Sequence, residues 1–81
     1  MSKEQVFDII VENTREVVPE LDDHAFDTTD SLRELGANSI DRAEIIMMTL
    51  EALSLNIPLV RLANVKNIGE LADLIHGSSG N

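Results

Sequence analysis

Ser39 carries the clearest chemical potential in this chain. It lies in Leu35-Gly36-Ala37-Asn38-Ser39-Ile40-Asp41, at the mouth of an apolar segment spanning 40–53. A helix that starts there leaves its first backbone N–H groups unpaired and sets the positive end of its dipole beside the serine. That setting favours an anionic group, a phosphate included. The plainer reading is structural, with Ser39 as an N-cap or as the residue after an Asn38 cap, and the local pattern by itself favours the cap. Other chemistry finds less support. The two histidines, His24 and His76, fall in a loop and at the end of the last helix, where each reads as a surface residue. His76 there suits the negative end of a helix. A Ser39–His–Asp triad is a spatial matter that residue order does not decide, but 81 residues leave little room for a water-excluding pocket. No glycine-rich phosphate loop occurs, and Asp22 and Asp23 read as solvated acids rather than an acid–base pair. Asp22, Asp23, Asp27 and Asp30 lack the central glycine and closing glutamate of a calcium-binding EF-hand loop, so no metal site is expected. Cysteine is absent, which removes disulfides, thiolate nucleophiles and Cys metal sites. Any thioester chemistry would need a thiol brought by a cofactor.

The elements that must position Ser39 read as helices. Ser2, with Gln5 three residues later, forms a capping box for a first helix over 3–18. Val6, Ile9, Ile10 and Val17 give it an apolar face, and Pro19 ends it. The long connection 19–34 is pinned by Leu21, Phe26, Leu32 and Leu35, with Asp30 or Ser31 opening a short turn that Gly36 closes through a positive φ. A second helix over 40–54 faces inward through Ala43, Ile46, Leu50 and Leu53, with Ile45 and Thr49 adjoining. Its acidic stripe holds Glu44 and Glu51 with Asp41 near the edge, bordered by Ile40, Met47 and Met48. Those three are either the margin of a small core or a contact patch, for which methionine is well suited. After Asn56-Ile57-Pro58 a short helical turn is expected over 59–63. Asn67-Ile68-Gly69-Glu70 reads as a capping box for a last helix that ends near His76. Residues 77–81 read as a flexible tail outside the fold. No strand alternation, internal repeat or second domain is evident, so the fold class is all-α.

Composition narrows the partners. Hydrophobic residues make up 43% of the chain and aromatic ones 2%, so the core must be aliphatic. Fifteen acids against six bases give a net charge of −9. That balance disfavours nucleic acid and anionic membrane surfaces and favours basic protein partners. No apolar run reaches transmembrane length, and the polar N-terminus lacks the apolar core of a signal peptide, so the cytoplasm is the default; a monomer is the expected state.

Gly36-Ala37-Asn38-Ser39-Ile40 resembles the Gly-x-Asp-Ser-(Leu/Ile/Val) signature of acyl and peptidyl carrier proteins. The resemblance extends from the first helix to Ile75, with the length, acidity and helix order of that family. It implies a small four-helix bundle, three main helices plus a short third one, with the carrier domain at 1–76. It also implies a 4′-phosphopantetheine arm on Ser39, attached by a phosphopantetheinyl transferase. The chain would then be a substrate of partner enzymes and not a catalyst. With the arm attached, its phosphodiester would sit against the Ile40 and Asp41 amides. The family's aspartate before the serine is replaced here by Asn38, which still caps a helix but removes a negative charge. Because carriers present this helix to their partners, the resemblance makes Asn38, Ile40, Asp41, Arg42, Glu44, Met47 and Met48 the recognition residues.

A finer likeness runs through Ser39-Ile40-Asp41-Arg42-Ala43-Glu44-Ile45-Ile46, Leu53-Ser54-Leu55-Asn56-Ile57-Pro58 and Val65-Lys66-Asn67-Ile68-Gly69-Glu70-Leu71-Ala72. These resemble the freestanding donor carriers of polyketide β-branching. There, an HMG-synthase-like enzyme takes an acetyl group from the donor and condenses it with a β-ketoacyl chain on a second carrier. Acyltransferase- or ketosynthase-type enzymes would load the cargo. The alternatives are a fatty-acid, peptidyl or aminoacyl carrier, or an unmodified acidic adaptor for a basic protein.

Overall fold

The computed structural model describes residues 2–79. Four helices succeed one another: α1 (Lys3–Val17), α2 (Ser39–Ala52), α3 (Leu59–Leu62) and α4 (Ile68–Ser79). A 3₁₀ turn at Pro19–Leu21 comes directly after α1. The described residues contain no strand. This is the expected all-α bundle of three main helices and a short third one.

Helix α1 is the hub, because α2 and α4 both pack against it. Its start is the expected capping box. The Gln5 N–H donates to Ser2 Oγ at 3.2 Å, and the Ser2 N–H donates to Gln5 Oε1 at 2.8 Å. Val6, Ile10 and Val11 bury its inner face. Val6 and Ile10 meet Ile45, Ile46 and Leu50 of α2 and Ile68, Leu71, Ala72 and Ile75 of α4 in one aliphatic core, with Phe7 and Phe26 packed at its margin. Two threonines, Thr14 and Thr49, are fully buried. Each turns its hydroxyl back to the carbonyl four residues earlier, Ile10 and Ile45 respectively. Asn13 then donates to Thr49 Oγ1 at 3.0 Å, which fixes the register of α1 against α2.

The long connection is more structured than its composition suggests. His24, read from the sequence as a surface residue, is half-buried and bonds Asp30 Oδ2 through Nε2 at 2.9 Å. Its ring packs edge-on to Phe26 at 4.7 Å, and the Arg15 guanidinium lies 5.2 Å from the Phe26 ring while donating to the His24 carbonyl. No periodic signal in the sequence marks this cluster, since its members meet only through the loop's path. Beyond it, the Ile68 N–H donates to the Asp30 carbonyl and the Gly69 N–H to the Thr28 carbonyl. The loop is thus bonded to the first turn of α4.

Several boundaries differ from the expected ones. Helix α2 begins at Ser39 and ends at Ala52 because Ser54 adopts φ +56°, with the Leu55 N–H reaching back to the Leu50 carbonyl. That left-handed residue closes the helix as glycine more often does. At α4 the Asn67 side chain caps the Glu70 N–H as expected, but the Glu70 carboxylate bonds the Lys66 N–H instead of completing a box at Asn67. Helix α4 runs on to Ser79, past the expected end near His76. Of the expected tail, Gly80 and Asn81 lie outside the described residues.

Candidate functional site

The approach to Ser39 is built by a short turn. Ser31 Oγ accepts the Glu34 N–H at 3.3 Å, and the Leu35 N–H reaches the Ser31 carbonyl. Gly36 adopts φ +106°, a conformation that L side chains rarely take. Its N–H bonds the Arg33 carbonyl and the Ala37 N–H bonds the Leu32 carbonyl, the paired closure of a Schellman turn. Ala37 is then buried against the core, which anchors the chain one step before the cap.

Asn38 is the cap, and Ser39 is the first helical residue. Asn38 Oδ1 accepts the Asp41 N–H at 2.8 Å, and Asp41 Oδ2 accepts the Asn38 N–H at 3.3 Å. Of the two structural readings of the serine, the second holds, and its hydroxyl is free from capping. Ser39 is exposed, and no hydrogen bond engages its hydroxyl among the described residues. His24, which a triad could have used, bonds Asp30 and not Ser39. The Asp41 amide, expected to meet an anion on Ser39, is instead already held by Asn38 Oδ1. The Ser39 and Ile40 amides, which have no acceptor one turn earlier, are the ones left at the helix N-terminus.

The remaining expected recognition residues separate into two groups. Ile40, Glu44, Met47 and Met48, with Ala43 and Glu51, line a shallow groove along the outward side of α2. Ile40 is 75% exposed and Met47 56%, so this is a solvent-facing apolar strip flanked by carboxylates. Arg42 lies elsewhere. Its Nη1 donates to the Ala37 carbonyl at 2.7 Å, and its half-buried side chain lines a cleft that also holds Ser39. Asp41 serves the cap. Sequence reasoning missed Arg33 and Lys66, which border the same cleft from loops where no periodicity marks them. Their only signal was that cations are scarce in so acidic a chain.

An exposed serine hydroxyl thus stands at the head of a helix on a small acidic four-helix body. Residues 5–75 match the family described as phosphopantetheine attachment site, and the chain belongs to that family. Its cofactor is therefore 4′-phosphopantetheine, and the site geometry fits it. The hydroxyl is exposed, and the amides and dipole at the helix N-terminus suit a phosphodiester. The chain is 55% identical over 76 residues to the polyketide biosynthesis acyl-carrier-protein AcpK of Bacillus subtilis (strain 168), covering 94% of this chain and 93% of that one. It also superposes with a TM-score of 0.90 and 61% identity on a chain of the crystal structure of the curacin biosynthetic pathway HMG synthase in complex with acetyl donor-ACP. That match covers 95% of this chain and 99% of the other.

Proposed function

We propose that this chain is a polyketide carrier that bears acetyl as a thioester on a 4′-phosphopantetheine arm at Ser39 and donates it to an HMG-synthase-like enzyme during β-branching. The observation that carries the reading is the free Ser39 hydroxyl at the first position of α2, with Asn38 doing the capping. The likeness to a chain of the HMG synthase–acetyl donor-ACP complex supports the choice of partner.

Arm attachment needs only an accessible nucleophile from this chain. Ser39 Oγ attacks the pantetheine-bearing phosphorus of coenzyme A. An O–P bond forms, the bond to the 3′,5′-ADP leaving group breaks, and the serine proton passes to a base of the transferase. The arm supplies the terminal thiol that a cysteine-free chain lacks. The protein's share is to hold Ser39 at a fixed helix end and to offer partners the strip of Ile40, Glu44, Met47 and Met48. Asn38, Asp41 and Arg42 contribute beside it by shaping the turn into α2. Loading by an acyltransferase- or ketosynthase-type enzyme, a cytoplasmic setting, a monomeric state and a role as substrate, not catalyst, complete the reading. In it the carrier domain extends to the end of α4 at Ser79.

The test is intact mass after incubation with coenzyme A, Mg²⁺ and a broad-specificity phosphopantetheinyl transferase. A single phosphopantetheine-sized gain is expected, absent in Ser39→Ala. Acetyl-loaded chain should then acylate an HMG-synthase-like enzyme. A gain that persists in Ser39→Ala, or no gain in the wild type and in Asn38→Asp alike, overturns the reading.

A further inference from the structure

Sulfur is scarce in this chain and, where described, it is concentrated. The chain has three methionines and no cysteine. Met1 lies outside the described residues, so the described sulfur atoms are the Sδ of Met47 and of Met48. Both methionines line one groove on α2, with Ile40, Ala43, Glu44 and Glu51. Met47 is 56% exposed, whereas Met48 is half-buried. Met47 stands three residues after Glu44 and four before Glu51, so both carboxylates are its neighbours on the helix surface. Ionised carboxylates only accept hydrogen bonds, and the other side chains of the groove carry no polar hydrogen. An acceptor placed on Met47 therefore finds no donor side chain within the groove.

Resting on the reading of this strip as the surface that meets the synthase, we propose that Met47 is a reversible oxidation site. A hydroperoxide converts it to the sulfoxide, and the sulfoxide weakens docking while Ser39 and the fold stay as they are. The Sδ lone pair attacks one oxygen of hydrogen peroxide. An S–O bond forms, the O–O bond breaks, and the proton of the transferred oxygen passes to the departing hydroxide, which leaves as water. The sulfur loses two electrons and the peroxide gains them. Thiol-dependent methionine sulfoxide reductases reverse the step and release the oxygen as water. Exposure makes Met47, not Met48, the first target. The sulfoxide is polar, on a strip whose other members between the acids are apolar. Its oxygen is hydrated in the free carrier and loses that water against a partner surface shaped for a thioether. An acceptor buried without a donor lowers affinity about tenfold or more. In the acetyl-loaded carrier the arm's sulfur is held in the thioester, so the Met47 thioether is the exposed sulfur that the described chain presents to an oxidant.

The experiment uses the whole chain, with the curacin-pathway HMG synthase as the partner probe. Chain without its arm is treated with dilute hydrogen peroxide, freed of it, and then loaded from acetyl-coenzyme A by the transferase, which keeps the arm's sulfur away from the oxidant. Intact mass is read after each step, and peptide mapping locates the added oxygen. Acetyl transfer from untreated chain is measured first; its failure counts against the synthase reading and takes the proposal with it. In treated chain the first oxygen is expected on Met47. The KM for the carrier should rise about tenfold with kcat nearly unchanged, the signature of lost docking. Far-UV circular dichroism and the thermal midpoint should not move, and sulfoxide reductases for both epimers should bring the KM back. Met47→Leu keeps the volume and has no sulfur at that position. Compared with its own untreated sample, its KM should not respond to peroxide. An unchanged KM in chain fully oxidised at Met47, a first oxygen on Met48, or an equal rise in treated Met47→Leu would overturn the proposal.

Discussion

At the scale of single residues, the proposed attachment at Ser39 depends on which side chain caps α2. Asn38 takes the capping role, so the adjacent serine keeps an unbonded hydroxyl at the positive end of the helix. A serine cap would have turned that oxygen inward to a backbone amide. His24 and Asp30 hold the long loop by a second residue-level device. The His24 side chain, then the Asp27 N–H, hydrogen-bond the Asp30 carboxylate and hold its pKa below the usual 3.8. A carboxyl with a depressed folded pKa stabilises the fold at pH above the ordinary carboxylate range. That contribution fades as pH falls through the ordinary value toward the depressed one. Between about pH 5 and pH 2 the wild type should therefore lose stability more steeply than Asp30→Asn. Urea midpoints across that range check this, and parallel curves for the two proteins would refute it.

At the scale of elements, the loop before α2 and the start of α4 form one unit. Thr28 and Asp30 carbonyls receive the N–H groups of Gly69 and Ile68, and the approach is close enough that position 69 has no room for a side chain. A Cβ on Gly69 would stand 2.9 Å from both the Cβ and the carbonyl oxygen of Thr28. Alanine gains about 1 kcal/mol of helix propensity over glycine, but overpacking against a bonded backbone costs about 1–3 kcal/mol. Gly69→Ala should thus lower the thermal midpoint in spite of its better propensity. A raised midpoint would show that the loop yields freely. This contact adjoins the cleft, since Lys66 and Asn67 sit on the cleft wall. A loop loosened at residue 69 would therefore disturb the Ser39 side of the molecule as well.

At the scale of the whole molecule, charge and shape divide the labour. The body measures about 35 × 23 × 20 Å, and most of its 15 acids face solvent. Such an excess repels itself in the compact state and steers basic partners toward it. Salt screens both effects. The thermal midpoint should accordingly rise as sodium chloride is added from low ionic strength, while association with a basic partner surface should slow. Calorimetry and stopped-flow binding over the same salt series test the pair, and a midpoint that falls with salt would mean that attractive ion pairs outweigh the repulsion. In the proposed reading, the exposed apolar strip of Ile40 and Met47 gives such a partner a contact that charge screening does not weaken.

The sequence by itself determined the features that local spacing controls. The capping box at Ser2, the apolar faces of the three main helices, the stop at Pro19 and the positive φ of Gly36 are each set by neighbours within a few positions, and all were legible. So was the place of Ser39 at the start of α2, because the motif around it is contiguous. Tertiary structure alone decided the features that depend on the path of the loops. It made His24 a partner of Asp30 and brought Arg33 and Lys66 to the wall that holds Ser39 and Arg42. These residues are separated in sequence. No periodicity links them, because their meeting is fixed by how α2 and α4 pack on α1 and not by any local preference.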